Sequence, residues 1–368
     1  MVEWKRLGDV CKVLRGKRLT KSQLNESEGY PVLHGGSTPM GYYNESNRKA
    51  NTTVVVNTGN AGSVFFYDKE FWSSDACFSL YPNKEINDKF LYLYVYGCER
   101  ILKGKIRAGA MPTIDAKAVE DLQIPIPSLS EQSRIVSILD TFTASIENLK
   151  EQIAERRKQY EYEREKLLDL EGKEGVEMKK LGEVCVIKNG YTPSTKNPDF
   201  WDNGTLPWFT LEDIRKNGRI LTDAIKHITP LGVKTGGLFP KESIIVSTTA
   251  TIGEYALIKT DFLCNQQITG LSIKEAYQEN LLSKFLYYLS YGIGRWCQRN
   301  VNGGGSLLIV STSKLNNMVI PVPSLEEQSR IVSILDTFEA SIANLEAQLE
   351  LRQKQYEYYR NQLLTFDN

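Results

Sequence analysis

The sequence predicts a mixed α/β fold (α+β within each domain), built as a pseudo-two-fold tandem repeat. Two globular domains are separated by two long helices that pair antiparallel as a coiled coil. Three observations predict this. IPIPSLSEQSRIVSILDTF (124–142) returns as IPVPSLEEQSRIVSILDTF (320–338), with its core EQSRIVSILDTF unchanged. Each copy opens an apolar series with steps of four and three residues. Ahead of each lies a stretch of β-branched runs broken by glycine, serine and asparagine. An internal repeat of this size governs the architecture and comes before any reading of single elements.

The repeat is longer than the helix. EWKRLGDVCKVLRGK, from Glu3, matches EMKKLGEVCVIKNGY, from Glu177, at an offset of 174. KFLYLYVYG (89–97) matches KFLYYLSYG (284–292) at 195, and the helices match at 196. The units thus share a beginning and an end, and differ in length in the middle of each globular part. The expected boundaries are a first globular domain at 1–127, a first long helix at 128–170, a linker at 171–176, a second globular domain at 177–323 and a second long helix at 324–368.

Within the first domain, TVVVNTGNAGSVFFYD (53–68) reads as strand, turn, strand, and SIIVSTTATIGEYALIK (243–259) repeats the layout in the second. Phe90–Tyr96 and Phe285–Tyr291 suit a short aromatic helix packed on that sheet. A last strand, DLQIPIP (121–127) or NMVIPVP (317–323), leads into the long helix. Pro127 and Pro323 stop it, because proline fixes φ and lacks a donor. Ser128 with Glu131, and Ser324 with Glu327, form S-x-x-E capping boxes. The apolar series Ile135, Leu139, Phe142, Ile146, Leu149, Ile153, Tyr160, Leu167 recurs as Ile331, Leu335, Phe338, Ile342, Leu345, Leu349, Tyr356, Leu363. This is a heptad seam, interrupted at Arg156 and Arg352. Each helix extends for roughly 40 residues, about 60 Å. The linker, LEGKEGVE (170–177), is short, so the second domain begins near the end of the first helix and antiparallel pairing is favoured. The globular domains are then expected at opposite ends of a rod.

Composition narrows the class. The chain has 368 residues, enough for two domains, and 41% apolar residues. No apolar run approaches the roughly 20 residues of a membrane span, and MVEWKRLGDV lacks the apolar core of a signal peptide. Six cysteines are scattered without a C-x-x-C pair, and the only histidines are His34 and His227, which argues against zinc. Reduced thiols in a cytoplasmic protein are expected. Net charge is zero, but it is segregated. Residues 1–127 carry 17 basic against 14 acidic side chains and residues 177–323 carry 16 against 12, or +3 and +4. The stretches 128–176 and 324–368 carry 8 against 11 and 4 against 8, or −3 and −4. The basic globular units suit a polyanion, and the acidic helices suit something else.

Catalytic signatures are missing. There is no P-loop and no G-x-G-x-x-G. GNAGS (59–63) reads as a turn and Gly303–Gly305 as a flexible loop. NPDF (197–200) resembles the motif with which adenine methyltransferases hold a flipped base, but it lacks the second proline and any cofactor motif before it. It reads as an Asn-Pro turn.

The loops of the globular units instead carry groups suited to phosphates and base edges. In the first unit these are Arg15, Lys17 and Arg18 in LRGKRLTK (14–21), then Ser37, Tyr42 and Asn44 in HGGSTPMGYYNES (34–46). Arg48, Lys49, Asn57 and Asn60 follow, with Lys105 and Arg107 in KGKIR (103–107). In the second unit they are Tyr191, Ser194, Thr195 and Lys196 in NGYTPSTKNPDFW (189–201), then Thr210 and Lys234. Ser247, Thr248 and Thr249, with Gln266 and Gln267, complete the set. Lysine and arginine neutralise phosphates, and arginine on guanine or asparagine and glutamine on adenine are the usual bidentate contacts.

The duplicated IP-x-P-SL-x-EQ-x-RIV-x-ILD stretch, the W-K-R/K-LG-[DE]-V opening and TPSTKNPDFWDNGTLPWFTLEDI (192–214) together resemble the DNA-specificity subunit of Type I restriction-modification systems, over the full length. The resemblance implies that each globular unit is a target recognition domain reading one half of a bipartite double-stranded DNA site. It implies that the helices separate the readers and bind two methyltransferase subunits, and that translocating restriction subunits join. It places S-adenosylmethionine, ATP and Mg in those partner subunits, with no cofactor, metal or catalytic residue in this chain. Because the two middles differ, the target is expected to be asymmetric.

The repeated polar positions Glu131, Gln132, Ser133 and Arg134, with Glu327, Gln328, Ser329 and Arg330, exceed what helix pairing requires. They read as exposed faces of two equivalent docking sites for one partner. Recent duplication or recombination gives the same identity. Two other readings are a coiled-coil adaptor that binds only protein and a self-contained DNA adenine methyltransferase. DNA footprinting eliminates the first, and a methylation assay on the isolated chain decides the second.

Overall fold

The computed structural model describes residues 2–36, 38–107, 109, 111–302 and 308–366. The loop expected at Gly303–Gly305 and the candidate Ser37 lie outside the described residues. The chain forms two compact units, Met1–Gln152 with Leu345–Asn368, and Ile153–Asn344. Each unit contains one globular domain, the first part of one long helix and the last part of the other.

In the first unit an antiparallel sheet orders the strands Cys11–Arg15, Cys77–Pro82, Thr52–Val56 and Val64–Tyr67. Thr52–Val56 is buried at every position, as suits a central β-branched strand. The turn between it and Val64–Tyr67 uses Gly59 and Gly62 at positive φ. The first aromatic helix, Asp88–Gly97, is capped by Asn87, whose side chain accepts from Lys89 N and Phe90 N. It buries Phe90, Leu91, Leu93 and Val95 in the same core as Val55, Leu80 and Phe78. Glu3–Arg6 pairs with Gln123–Ile126 in a two-stranded ribbon that ends at the long helix.

The second unit repeats this plan and adds to it. Cys185–Asn189, Ile268–Ile273, Ser243–Ser247 and Tyr255–Ile258 take the same order, with Ile220–Leu221 added in parallel at the edge. The second aromatic helix, Ser283–Arg299, packs on this sheet. Each domain also has a three-stranded sheet with a second core, Leu33, Val54, Phe71 and Cys77 in the first and a larger one with Trp208, Phe209, Phe239 and Phe262 in the second. NPDF forms a short 3-10 turn at Pro198–Phe200, capped by Asn197.

The long helices span Leu129–Leu168 and Leu325–Leu364, 40 residues each. Their seam is visible within each unit. In the first, the early residue Phe142 stacks on the late residue Tyr359, with ring centroids 5.2 Å apart. Ile135 and Leu139 share a core with Tyr356 and Leu363. In the second, Tyr160 lies 6.3 Å from Phe338, and its hydroxyl donates to Glu339 at 3.1 Å. Early residues meet late ones in both units, so the pairing is antiparallel.

The two arginines that break the heptad keep the seam closed in another way. Arg156 lies over the Phe338 ring at 5.8 Å and Arg352 over the Phe142 ring at 5.6 Å. The capping boxes form by half. Ser128 and Ser324 accept from the backbones of Glu131 and Glu327 at 3.3 Å. The glutamate carboxylates take Arg134 and Arg330 instead of reaching back. Among the described residues no helix is long and apolar enough to cross a membrane.

Candidate nucleic-acid interface

Strand direction brings the polar loops of each domain to one end of its sheet. In the first domain the end of Cys11–Arg15, the end of Thr52–Val56 and the start of Cys77–Pro82 lie side by side, with Arg15 opposite Phe78 and Val56 opposite Cys77. The chain leaves the first strand through Gly16. A Cβ there would be driven into the carbonyl oxygens of Ser73 and Ser74, so only glycine allows this approach. Arg15 donates through Nε to Asp75 O at 2.9 Å, and Trp72 Nε1 donates to Lys17 O at 2.8 Å. Arg107 reaches the same end. It bridges Thr113, which bridges Thr58, and its guanidinium pairs with Asp115. Asn60 N donates to Gly35 O at 3.2 Å. This end therefore gathers Arg15, Lys17, Arg18, Asn60 and Arg107, all exposed, with the exposed Lys105 two residues away.

The second domain presents the same end with different side chains. Gly190 occupies the place of Gly16, and its Cβ position is blocked by the carbonyls of Cys264 and Asn265. Asn302 bridges Ile309, which bridges Thr249, repeating Arg107, Thr113 and Thr58. Thr192 donates to Gln266. The Tyr191 hydroxyl donates to Gly232 O at 3.1 Å and accepts from Lys234 N at 2.6 Å, while Lys234 Nζ lies 4.6 Å over its ring. Ser194, Thr195 and Lys196 are exposed, and the Ser194 carbonyl accepts from Trp201 Nε1 at 3.1 Å.

Several residues expected at an interface are engaged elsewhere. Asn57 is buried, donates to Asp75 O at 3.1 Å and accepts from Thr58 Oγ1 at 2.8 Å. Arg48 directs Nε to Ser79 Oγ at 2.9 Å and its terminal nitrogens to the carbonyls of Asn47 and Arg15. Desolvation by burial lowers its pKa from the usual arginine value. Ser247 and Thr248 are buried. The first accepts from Glu254 N at 2.8 Å, and the second is 2.8 Å from Thr269 Oγ1. Thr210 caps the helix Leu211–Asn217 through a reciprocal box with Asp213. The Gln267 carbonyl accepts from Thr248 N at 2.9 Å and its side chain from Asn265 Nδ2 at 3.3 Å. Apart from Thr210, these polar groups bond the strands and loops at the sheet end, which would otherwise leave buried donors and acceptors open.

Tyr42, Asn44 and Lys49 do not join the cluster. Tyr42 pairs in the strand beside Tyr30–Leu33, Asn44 accepts from Asn25, and Lys49 lies over Tyr81. Gln132 and Gln328 were expected on exposed docking faces, yet both are fully buried. Glu131 and Arg134, with Glu327 and Arg330, do lie at the surface as ion pairs, and the arginine hydrogen bond holds each glutamate below the usual carboxylate range. Asn302 was missed by residue-level reading, although the 195-residue offset that relates the aromatic helices also maps it onto Arg107.

All six cysteines are free and buried. Desolvation pushes Cys11 and Cys185 up to about 12 and Cys77, Cys98 and Cys297 up to about 11, and raises Cys264 as well. They pack as small apolar groups. Among the described residues no group of three or more His, Cys, Asp or Glu is arranged to hold a metal.

The sequence model of the Type I restriction modification DNA specificity domain matches residues 1–156 and again 173–352, and the chain belongs to that family. It is 34% identical over 391 residues to the Type I restriction enzyme EcoR124I/EcoR124II specificity subunit of Escherichia coli, covering 99% of this chain and 94% of that one. The EcoprrI specificity subunit of Escherichia coli is 45% identical over 215 residues, which is 55% of this chain and 52% of that one. The fold matches the crystal structure of the Type I restriction-modification S subunit from M. genitalium, with a TM-score of 0.63 at 17% identity, over 100% of this chain and 97% of that chain.

Proposed function

We propose that this specificity subunit reads a bipartite, asymmetric double-stranded DNA target, one half-site through the sheet-end loops of each globular domain. One observation carries the reading. Both domains build the same sheet end from the same bridges, but line it with different polar groups: Arg15, Lys17, Asn60 and Arg107 in one, Thr192, Thr249, Gln266 and Asn302 in the other. A shared scaffold with different donors and acceptors suits two readers of different sequences. The basic side chains of the first domain hold phosphates, and the amides of both suit adenine edges.

The chain directs methyltransferase subunits to the site and is not catalytic alone. S-adenosylmethionine, ATP and Mg belong to the partner subunits. Two methyltransferase copies dock on the repeated surface positions Glu131, Ser133 and Arg134 and Glu327, Ser329 and Arg330, which carry the same side chains in both copies. Restriction subunits join that complex. The test is to map methylated adenines in DNA from cells that make the chain with its methyltransferase subunits, before and after residues 15–120 are exchanged for those of a relative. One half-site should change and the other persist. A change in both, or no modified bipartite motif, refutes the reading.

A further inference from the structure

The glutamines that break the expectation of an exposed face define a joint. Gln132 and Gln328 have 0% exposure, and each lies in the first turn of its long helix. Gln132 Oε1 accepts from Asn87 N at 2.8 Å, while Nε2 donates to Glu85 O at 2.8 Å and Pro127 O at 2.9 Å. Gln328 Oε1 accepts from Leu282 N at 2.9 Å, while Nε2 donates to Asn280 O at 2.7 Å and Pro323 O at 2.8 Å. Both donors and the acceptor of each amide are used, a full set for a buried glutamine.

The partners have a common position. Asn87 and Leu282 are the N-cap residues of the aromatic helices, and Pro127 and Pro323 are the exits of the last strands. Each glutamine therefore pins three elements of its unit together: the aromatic helix that carries the sheet, the last strand, and the long helix. It does so through backbone groups alone. Glu85-Ile86-Asn87 and Asn280-Leu281-Leu282 differ in sequence, yet present the same carbonyl and N–H to the clamp. Two half-buried ion pairs brace the same joint, Lys89 with Asp140 at 2.8 Å and Lys284 with Asp336 at 3.1 Å. Half-buried pairs that keep contact with water are partly screened, and a fully buried amide with three bonds contributes more.

We propose that Gln132 and Gln328 are positioning residues that fix the angle of each recognition domain on its long helix, and so set the half-site spacing the subunit accepts. The inference rests on the bipartite reading above. One inserted base pair moves a half-site about 3.4 Å along the duplex and ~35° around it, so a reader held at a fixed angle rejects it. A clamp made only of backbone contacts also tolerates any side chains in the domain it holds, which explains why it is the same in two units whose middles differ.

The test uses the subunit assembled with its methyltransferase subunits. Substrates carry the wild-type half-sites with the native spacer or one base pair more or fewer, and initial methylation rates are compared. In the double variant Gln132→Met/Gln328→Met, the preference for the native spacer should fall by roughly tenfold, as the loss of a buried hydrogen-bond set allows. Half-site sequence preference should stay unchanged. The single variant Gln132→Met leaves one clamp whole and should give a partial fall, which keeps the test open if the double variant does not fold. Lys89→Met/Lys284→Met, which removes only the bracing ion pairs, should lower the spacer preference by less than the glutamine variants. Equal loss of rate on every spacer, or an unchanged profile in a folded glutamine variant, overturns the proposal. If the wild-type complex modifies no bipartite site at all, the functional reading fails and not the clamp.

Discussion

Replacing Gly190 by alanine tests the sheet end directly. Gly190 follows the strand Cys185–Asn189, and its N–H donates to Ile268 O at 2.9 Å. A Cβ built there stands 2.5 Å from the Asn265 carbonyl oxygen and 2.6 Å from the Cys264 carbonyl carbon, inside the 3.0 Å that real Cβ atoms respect. Both obstacles are backbone at the base of the Gln266–Gln267 loop, so no side-chain rotation relieves them. The strand end or that loop must shift by about half an ångström or more, and close-packed interiors resist such shifts. Overpacking of this kind costs ~1–3 kcal/mol, and the upper value is expected here because two carbonyl groups must move.

Hydrogen exchange reads the result unit by unit. Amides of Ser243–Ser247 and Ile268–Ile273 should exchange on the order of 100-fold faster. Those of Thr52–Val56, in the other unit, should not change. Methylation should lose discrimination at one half-site only. Gly16→Ala should reverse the pattern. Wild-type exchange throughout the Gly190→Ala chain would refute the steric argument.

Three further outcomes are expected. Lys17→Gln/Arg18→Gln should reduce the slope of log binding constant against log salt by about 2, measured by fluorescence anisotropy on cognate DNA, because each phosphate contact contributes ~0.9. The six thiols should resist alkylation in the native chain at pH 8 and all react in denaturant. Their neutral form is favoured by folding, so this contribution is complete below the unfolded value of 9.0 and is lost as pH rises toward about 12 for Cys11 and Cys185. Arg156→Ala and Arg352→Ala should each cost ~0.5–1 kcal/mol in urea unfolding. Their effects should add, because Arg156 stacks on Phe338 in one unit and Arg352 on Phe142 in the other.

The sequence by itself determined the repeat, the two long helices and, in each domain, the strand–turn–strand pair with an aromatic helix packed on it. The helices were expected at 128–170 and 324–368 and run Leu129–Leu168 and Leu325–Leu364. These features rest on local chemistry: proline stops, serine caps and an apolar period that any window of the chain displays. The residues that would break that period, Arg156 and Arg352, looked like interruptions because their aromatic partners lie on the other helix.

Tertiary structure alone decided which polar side chains are free. Asn57, Ser247 and Thr248 look like Asn60, Thr249 and Gln266 in sequence, but the first three are buried. They close hydrogen bonds that the sheet end leaves open, and that need arises only once the strands are side by side. Gln132 and Gln328 follow the same logic. A glutamine in the first turn of a polar helix reads as exposed until the carbonyls of Glu85 and Pro127, or of Asn280 and Pro323, converge on it. Burial is a property of what converges from distant parts of the chain, and no local pattern encodes it.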